Sequence, residues 1–258
     1  MPDDKPKQEH PLVNLLVNVV APALILSYLS KDPAMQAKIG KPVHFWQLGP
    51  LWAMAVALAM PLGYGIWHFL QTRKGNFFSA LGVINVLATG GVTLYLWNAD
   101  GSVKPNAGLL YGVKEGLIPL CLGIAILSSQ RSGTPLIRVF LYNDTIFDVP
   151  KIEAKIAERG EETRYAGLLN GATRIFAASF FLSAVMNVGM AQWFFRGFDS
   201  AALDALEKYN GIVGKMHWVG LLVIGVPLMG ILFVILTRLL KGLKELTDLK
   251  DEELLMPR

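Results

Sequence analysis

Lys114 and Glu115 stand side by side in an apolar stretch, NAGLLYGVKEGLIPLCLGIAILS, that runs from Asn106 to Ser128. At 1.5 Å rise per residue a helix of this length covers about 34 Å, close to the hydrocarbon thickness of a bilayer. Starting the helix after the charges, at Gly116, would leave it too short to cross. A crossing helix must therefore carry both charges inside it, and an ionisable group at membrane depth marks a functional site by default. The chemistry open to it is binding a proton or a cation in a polar cavity, or a structural ion pair.

A helical wheel divides the two residues. Gly108, Gly112 and Gly116 recur every four residues and draw a small-residue stripe for close helix packing. Glu115 lies about 60° from Gly112 and points into the bundle, whereas Lys114 lies about 160° away. Lys114 is therefore expected to snorkel toward the headgroups rather than neutralise Glu115. The expected partners of Glu115 are Arg174, His68 or Lys215 as an ion pair, or Asn85 or Asn187 as a hydrogen bond. Asn14 and Asn18, four residues apart and four before Pro22, form a second polar stripe. Pro22 frees the carbonyl of Asn18, so these groups either bridge helices at a kink or line a cavity. Arg174 suits a lipid phosphate, and His68 an interfacial anchor.

The elements that must hold these residues are all helical. Of the 258 residues, 53% are hydrophobic and 17% charged, well under the quarter usual in soluble domains. Mean hydropathy is +0.42, and the apolar residues gather in blocks of about twenty, the pattern of an integral membrane protein. The expected fold is all-α: a bundle of six transmembrane helices at about 11–29, 49–70, 77–97, 106–128, 171–193 and 216–236. A polar tail, 1–10, precedes them and a second, 241–258, follows. The first span is read as retained, since no small-residue cleavage site follows it. Asp148 as cap, Pro150 in the first turn and Gly160 as stop predict a short amphipathic helix inside the loop 129–170. A second short helix is expected over 199–209.

With six spans, Lys and Arg number fifteen on the side of the termini and seven on the other. That asymmetry assigns both termini to the cytoplasm. The net charge of +4 is small, and no basic run interleaved with aromatics points to nucleic acid. No P-loop, GxSxG, HExxH or Cys/His cluster is present, so no catalytic, cofactor-binding or metal-binding residue is assigned. The lone Cys121 is expected to be a buried, inert thiol. The partners this implies are the lipid bilayer, membrane proteins of the envelope or division machinery, and a second copy of the chain.

An ordered set of segments carries a family likeness: Gly90-Gly91-Val92-Thr93-Leu94, Asn98-Ala99-Asp100, Lys114, Leu127-Ser128-Ser129-Gln130-Arg131, Pro135-Leu136-Ile137, AASFFLSAVMN over 177–187, and Lys215. Taken in order, these resemble the intracellular septation protein A family of bacterial inner-membrane proteins, and also a sister group of slightly longer membrane proteins. The resemblance implies a multi-pass inner-membrane protein of envelope biogenesis and septation, acting through contacts with partners. The chain departs from that pattern at Glu115, where the family's lysine is commonly followed by proline, and in the insert over 142–170. The alternative that Glu115 raises is a small secondary transporter or channel.

Overall fold

The structure, a computed structural model, describes residues 16–38, 40–72, 77–98, 100–132, 136–142 and 146–256. Asn14 lies outside these residues, as do the whole tail 1–10 and the basic segment 73–76. The described residues are all-helical, with two isolated bridges, Trp97–Val103 and Phe147–Leu255, in place of any sheet. The helices are α1 (Ala21–Leu24), α2 (Pro33–Lys38), α3 (Pro50–Thr72), α4 (Phe77–Leu96), α5 (Ala107–Ser129), α6 (Ile137–Phe140), α7 (Val149–Arg159), α8 (Glu162–Phe194), α9 (Ala205–Gly220), α10 (Val226–Thr247) and α11 (Asp251–Leu254).

Among the described residues four helical stretches are long and apolar enough to cross a membrane: Pro50–Trp67, Ala107–Ser129, Glu162–Phe194 and Ala205–Thr247. The last has a window of mean hydropathy 2.8 of which 11% is buried within the protein. Val226, Met229 and Phe233 are each more than 60% exposed. An uncovered surface this apolar is the signature of contact with lipid. The protein is thus a helical membrane protein.

Proline explains where these helices change register. α1 contains Pro22 and is flanked by π-helical turns at Leu16–Val20 and Ile25–Leu29. A proline ring clashes with the carbonyl four residues back and offers no N–H, and wider turns absorb both effects. Pro227 has the same relation to the π-turn Leu221–Gly225, through which α9 continues into α10. The helix expected to start at Met216 therefore starts at Ala205. The short helix expected over 199–209 does not form by itself, since 199–204 are turns and bends. Likewise α8 starts at Glu162, nine residues before the expected Gly171.

The chain divides into two compact units. The first comprises residues 1–115 and 187–222. Its core gathers Leu26, Met54, Leu96, Tyr111, Phe195, Tyr209 and Met216. Here α5 and α8 approach until their backbones nearly touch. A methyl group at Gly108 would stand 2.6 Å from Phe195 Cβ, and one at Gly112 would stand 2.8 Å from the Ala191 methyl. Gly214 on α9 packs as tightly against the Ala23 carbonyl. Asn210, fully buried, donates from Nδ2 to Ser30 Oγ and to the Pro50 carbonyl, both at 2.8 Å.

The second unit comprises residues 116–186 and 223–258. Its core takes Ile126, Ile137, Phe147, Ile152, Ile156, Leu169, Phe176, Leu239 and Leu243. α7 forms where its signals lie: Asp148 accepts from the Lys151 amide at 3.2 Å, and Gly160 ends the helix at φ 67°. Residues 241–258, read from sequence as a tail, instead supply Leu243, Leu246, Leu249 and Leu254 to this core. The chain end folds back so that the Asp148 amide donates to the Leu254 carbonyl at 2.9 Å. Tyr165 Oη stands 3.1 Å from Tyr142 Oη and accepts from Arg138 Nη2 at 3.2 Å, and Arg138 pairs with Glu153 at 2.8 Å. Burial, then the bond with Tyr165, pushes the Tyr142 hydroxyl well above the ordinary tyrosine range.

Three outcomes follow for stability. Gly112→Leu should cost about 1–3 kcal/mol through overpacking, seen as a lower melting temperature in detergent. Gly189→Ala, with nothing within 4 Å of the new methyl, should be neutral or stabilising. Asp148→Ala should cost about 1 kcal/mol by removing the cap.

Candidate functional site

The sequence holds one pair of adjacent charges at membrane depth, and the first unit closes around it. Lys114 is buried, its side chain 5% exposed, and the Glu115 side chain is 20% exposed. Lys114 Nζ donates to Glu115 Oε1 at 2.6 Å and to Thr89 Oγ1 at 2.6 Å. Thr89 in turn donates to the Asn85 carbonyl at 2.8 Å. The ammonium also lies 4.9 Å from the centroid of the Tyr111 ring, at cation–π distance.

This overturns the wheel argument. Lys114 does not snorkel outward, and it does neutralise Glu115. The Cα–Cβ bonds diverge as the wheel says, but the four-carbon lysine stem is long enough to bring its head back to the neighbouring carboxylate. Leaving that head in hydrocarbon would cost several kcal/mol. A neighbour on the same helix is always available, whatever the bundle does. Among the described residues, Arg174 and Lys215, expected as partners of Glu115, are not its ion-pair partners, and the side chain of His68 lies outside them.

Further polar groups surround the pair. Tyr111 precedes Lys114 by three residues and Glu115 by four, so all three meet along one helix. Tyr111 lies in the electrostatic field of Glu115, yet its buried hydroxyl has no partner at hydrogen-bond geometry. Tyr209 crosses its ring edge-on at 6.3 Å and shares a hydrogen bond with Thr93 at 3.2 Å. His217 lies on α9 in the same unit, and its Nδ1 sits 2.8 Å from the Val213 carbonyl. A carbonyl accepts only, so Nδ1 carries the proton. Trp97 Nε1, packed edge-on against Tyr209, is buried without a partner among the described residues.

The remaining sequence candidates are dispersed. Asn85 is half-buried on α4 and enters through its carbonyl. Asn187 is half-buried on α8. Asn18 falls within the π-turn at Leu16–Val20, its side chain outside the described residues. Arg174 is exposed on α8 within the second unit. Gly108 and Gly112 pack as the stripe requires, and Gly116 is buried. Cys121 is exposed rather than buried. Leu117, Leu120 and Ile124 around it are also exposed, so this face of α5 meets lipid. Among the described residues no three of His, Cys, Asp and Glu gather as a metal site.

Sequence reasoning missed Thr89 as the lysine's acceptor, and missed Tyr111 and His217. Spacing along α5 was enough to find Tyr111. Thr89 stands beside Gly90 and Gly91 as a small residue would at a helix contact, and nothing local distinguishes that role from hydrogen bonding. Comparison of the chain with models of protein families, with curated proteins and with solved structures finds no match.

Chemically, the lysine is satisfied: two protons are bonded and the ring covers its flank. The glutamate is bonded through one oxygen. Lys114→Met should therefore destabilise by about 2–4 kcal/mol, because it strands a buried carboxylate. The double variant Lys114→Met/Glu115→Leu should recover most of that loss. Thermal unfolding in matched detergent reads both.

Proposed function

We propose that the chain is a non-catalytic bacterial inner-membrane protein of cell-envelope maintenance or septation, acting through helix and loop contacts with partner proteins. In this reading it crosses lipid six times, with spans at 11–29 and 77–97 joining the four long apolar stretches, and both termini are cytoplasmic. The observation that carries it is the 2.6 Å pair of Lys114 and Glu115. A charge spent on its own neighbour holds helices together and leaves little to drive a substrate cycle.

Two further features support the reading. Fifteen of the cationic residues fall on the side of the termini and seven on the other, which the positive-inside rule turns into an orientation. On that side Ile137, Tyr142, Phe147, Ile152 and Ile156 pack with Leu243, Leu246 and Leu254 in one core. α7 is its amphipathic helix, with Ile152 and Ile156 inward and Lys151, Lys155 and Glu158 on the other faces. The likeness to the septation family supplies the process.

One observation favours a second reading, a small transporter or channel. The unpartnered Tyr111 hydroxyl lies beside a carboxylate with a spare oxygen, an arrangement able to hold a water or pass a proton.

Three measurements separate these ideas. Impermeant labelling of tags should find both termini on the cytoplasmic face; opposite faces would end the six-span account. Crosslinking and pull-down from membranes should recover envelope or division proteins, and their absence would contradict the leading reading. In proteoliposomes Glu115→Gln should change no ion flux if the pair is structural, and should abolish flux if the second reading holds.

A further inference from the structure

A separate cavity of about 430 Å³ opens in the first unit, between the end of the first helical segment, the turn after α8 and the start of α9. It is of the size of small-ligand sites. Three cations line it, Lys31, Arg196 and Lys215, and each is exposed. Among the described residues none of the three makes an ion pair.

The remaining charges at the cavity are spent locally. Lys208 pairs with Asp204 at 2.8 Å. Glu207 accepts from Gln36 Nε2 at 3.1 Å, and Asp199 Oδ1 accepts from the Ala201 amide at 3.0 Å. The lining thus holds four cations, Lys31, Arg196, Lys208 and Lys215, against two carboxylates, Asp199 and Glu207, and Arg196 also lies 5.9 Å from the Trp193 ring.

A buried donor points the same way. Ser30 lines the cavity and is 2% exposed. Its oxygen accepts from Asn210 Nδ2 at 2.8 Å, and its own proton finds no acceptor among the described residues. A hydroxyl donor held by Asn210, beside three cations, wants an anion.

The rest of the lining is apolar, from Leu26, Phe194, Phe198 and Ile212. Tyr28 and Trp193, next in sequence to lining residues, are 64% and 70% exposed. Exposed aromatics of this kind sit at headgroup level in membranes.

We propose that this cavity binds a phosphate group at the membrane interface, with the anion among Lys31, Arg196, Lys215 and the Ser30 hydroxyl. The apolar wall fits the glycerol and upper acyl carbons of a phospholipid. Free phosphate presents the same anion without that part.

The test uses the full chain in nanodiscs of phosphatidylcholine carrying phosphatidylglycerol, with retained anionic lipid read by native mass spectrometry. Lys31→Ala/Arg196→Ala/Lys215→Ala should reduce retention at least tenfold, and the Lys31→Arg/Lys215→Arg variant should keep it. Lys38→Ala/Lys41→Ala, which removes as many lysines at the end of α2 and just after it, outside the cavity, should change retention less than twofold. Ser30→Ala should weaken retention threefold or more. Should the triple variant misfold, Lys31→Glu and Lys215→Glu taken singly serve the same purpose, each with an expected loss of at least threefold. Displacement of the lipid by millimolar inorganic phosphate would support the site and assign it to free phosphate. Retention in the face of phosphate would support it and assign it to the lipid headgroup. Equal retention by wild type and the cavity variants, or an equal loss in the Lys38/Lys41 control, would overturn the proposal.

Discussion

A cation and an anion held in a hydrocarbon layer must find each other or be discharged, because lipid offers neither water nor counter-ions. In this protein they find each other without leaving one helix. Lys114 reaches Glu115 at 2.6 Å and Thr89 at the same distance, and the first unit packs aromatic rings around the lysine. Tyr111 lies across the ammonium, and Tyr209, Phe195 and Trp97 pack around Tyr111 or one another. One hydrogen bond from lysine to α4 makes the pair a tie between helices as well as a neutralised dipole.

Glycine makes that closeness attainable. Van der Waals packing replaces the hydrophobic effect as the force between helices in lipid. Gly108 and Gly112 let the backbone of α5 come within methyl distance of α8, and Gly214 does the same for α9 and the first helical segment. Within the second unit, Gly123 on α5 stands against the Phe181 ring and Gly242 on α10 against Leu168. The rule in both units is small residue against large, with the bulk on the outer faces given to lipid.

How much of this could be read from sequence depended on whether the cause was local. The cap at Asp148, the stop at Gly160 and the glycines at 108 and 112 are local signals, and a helix and close contacts appear where they predict, whereas the apolar blocks do not give the starts at Glu162 and Ala205. The direction of Lys114 was misread because a wheel describes Cβ vectors and not a stem of four methylenes. Cys121 was misread for a different reason. Apolar surroundings in sequence do not distinguish a protein interior from lipid, and its face of α5 turned out to be uncovered. The tail at 241–258 and the start of α8 depend on long-range packing, on leucines whose partners are nearly a hundred residues away, and no local pattern announces that. Thr89 is the same kind of case, since its role exists only once α4 and α5 are side by side.

The account stands or falls on whether Glu115 is a closed, ionised partner of Lys114 inside the membrane. A lipid-soluble carbodiimide reacts with carboxyl groups that are protonated at membrane depth and spares ionised ones held in an ion pair. Treatment of membranes followed by peptide mass spectrometry should leave Glu115 unmodified in the wild-type chain and modify it once Lys114 is methionine. Modification of Glu115 in the wild-type chain would contradict the account.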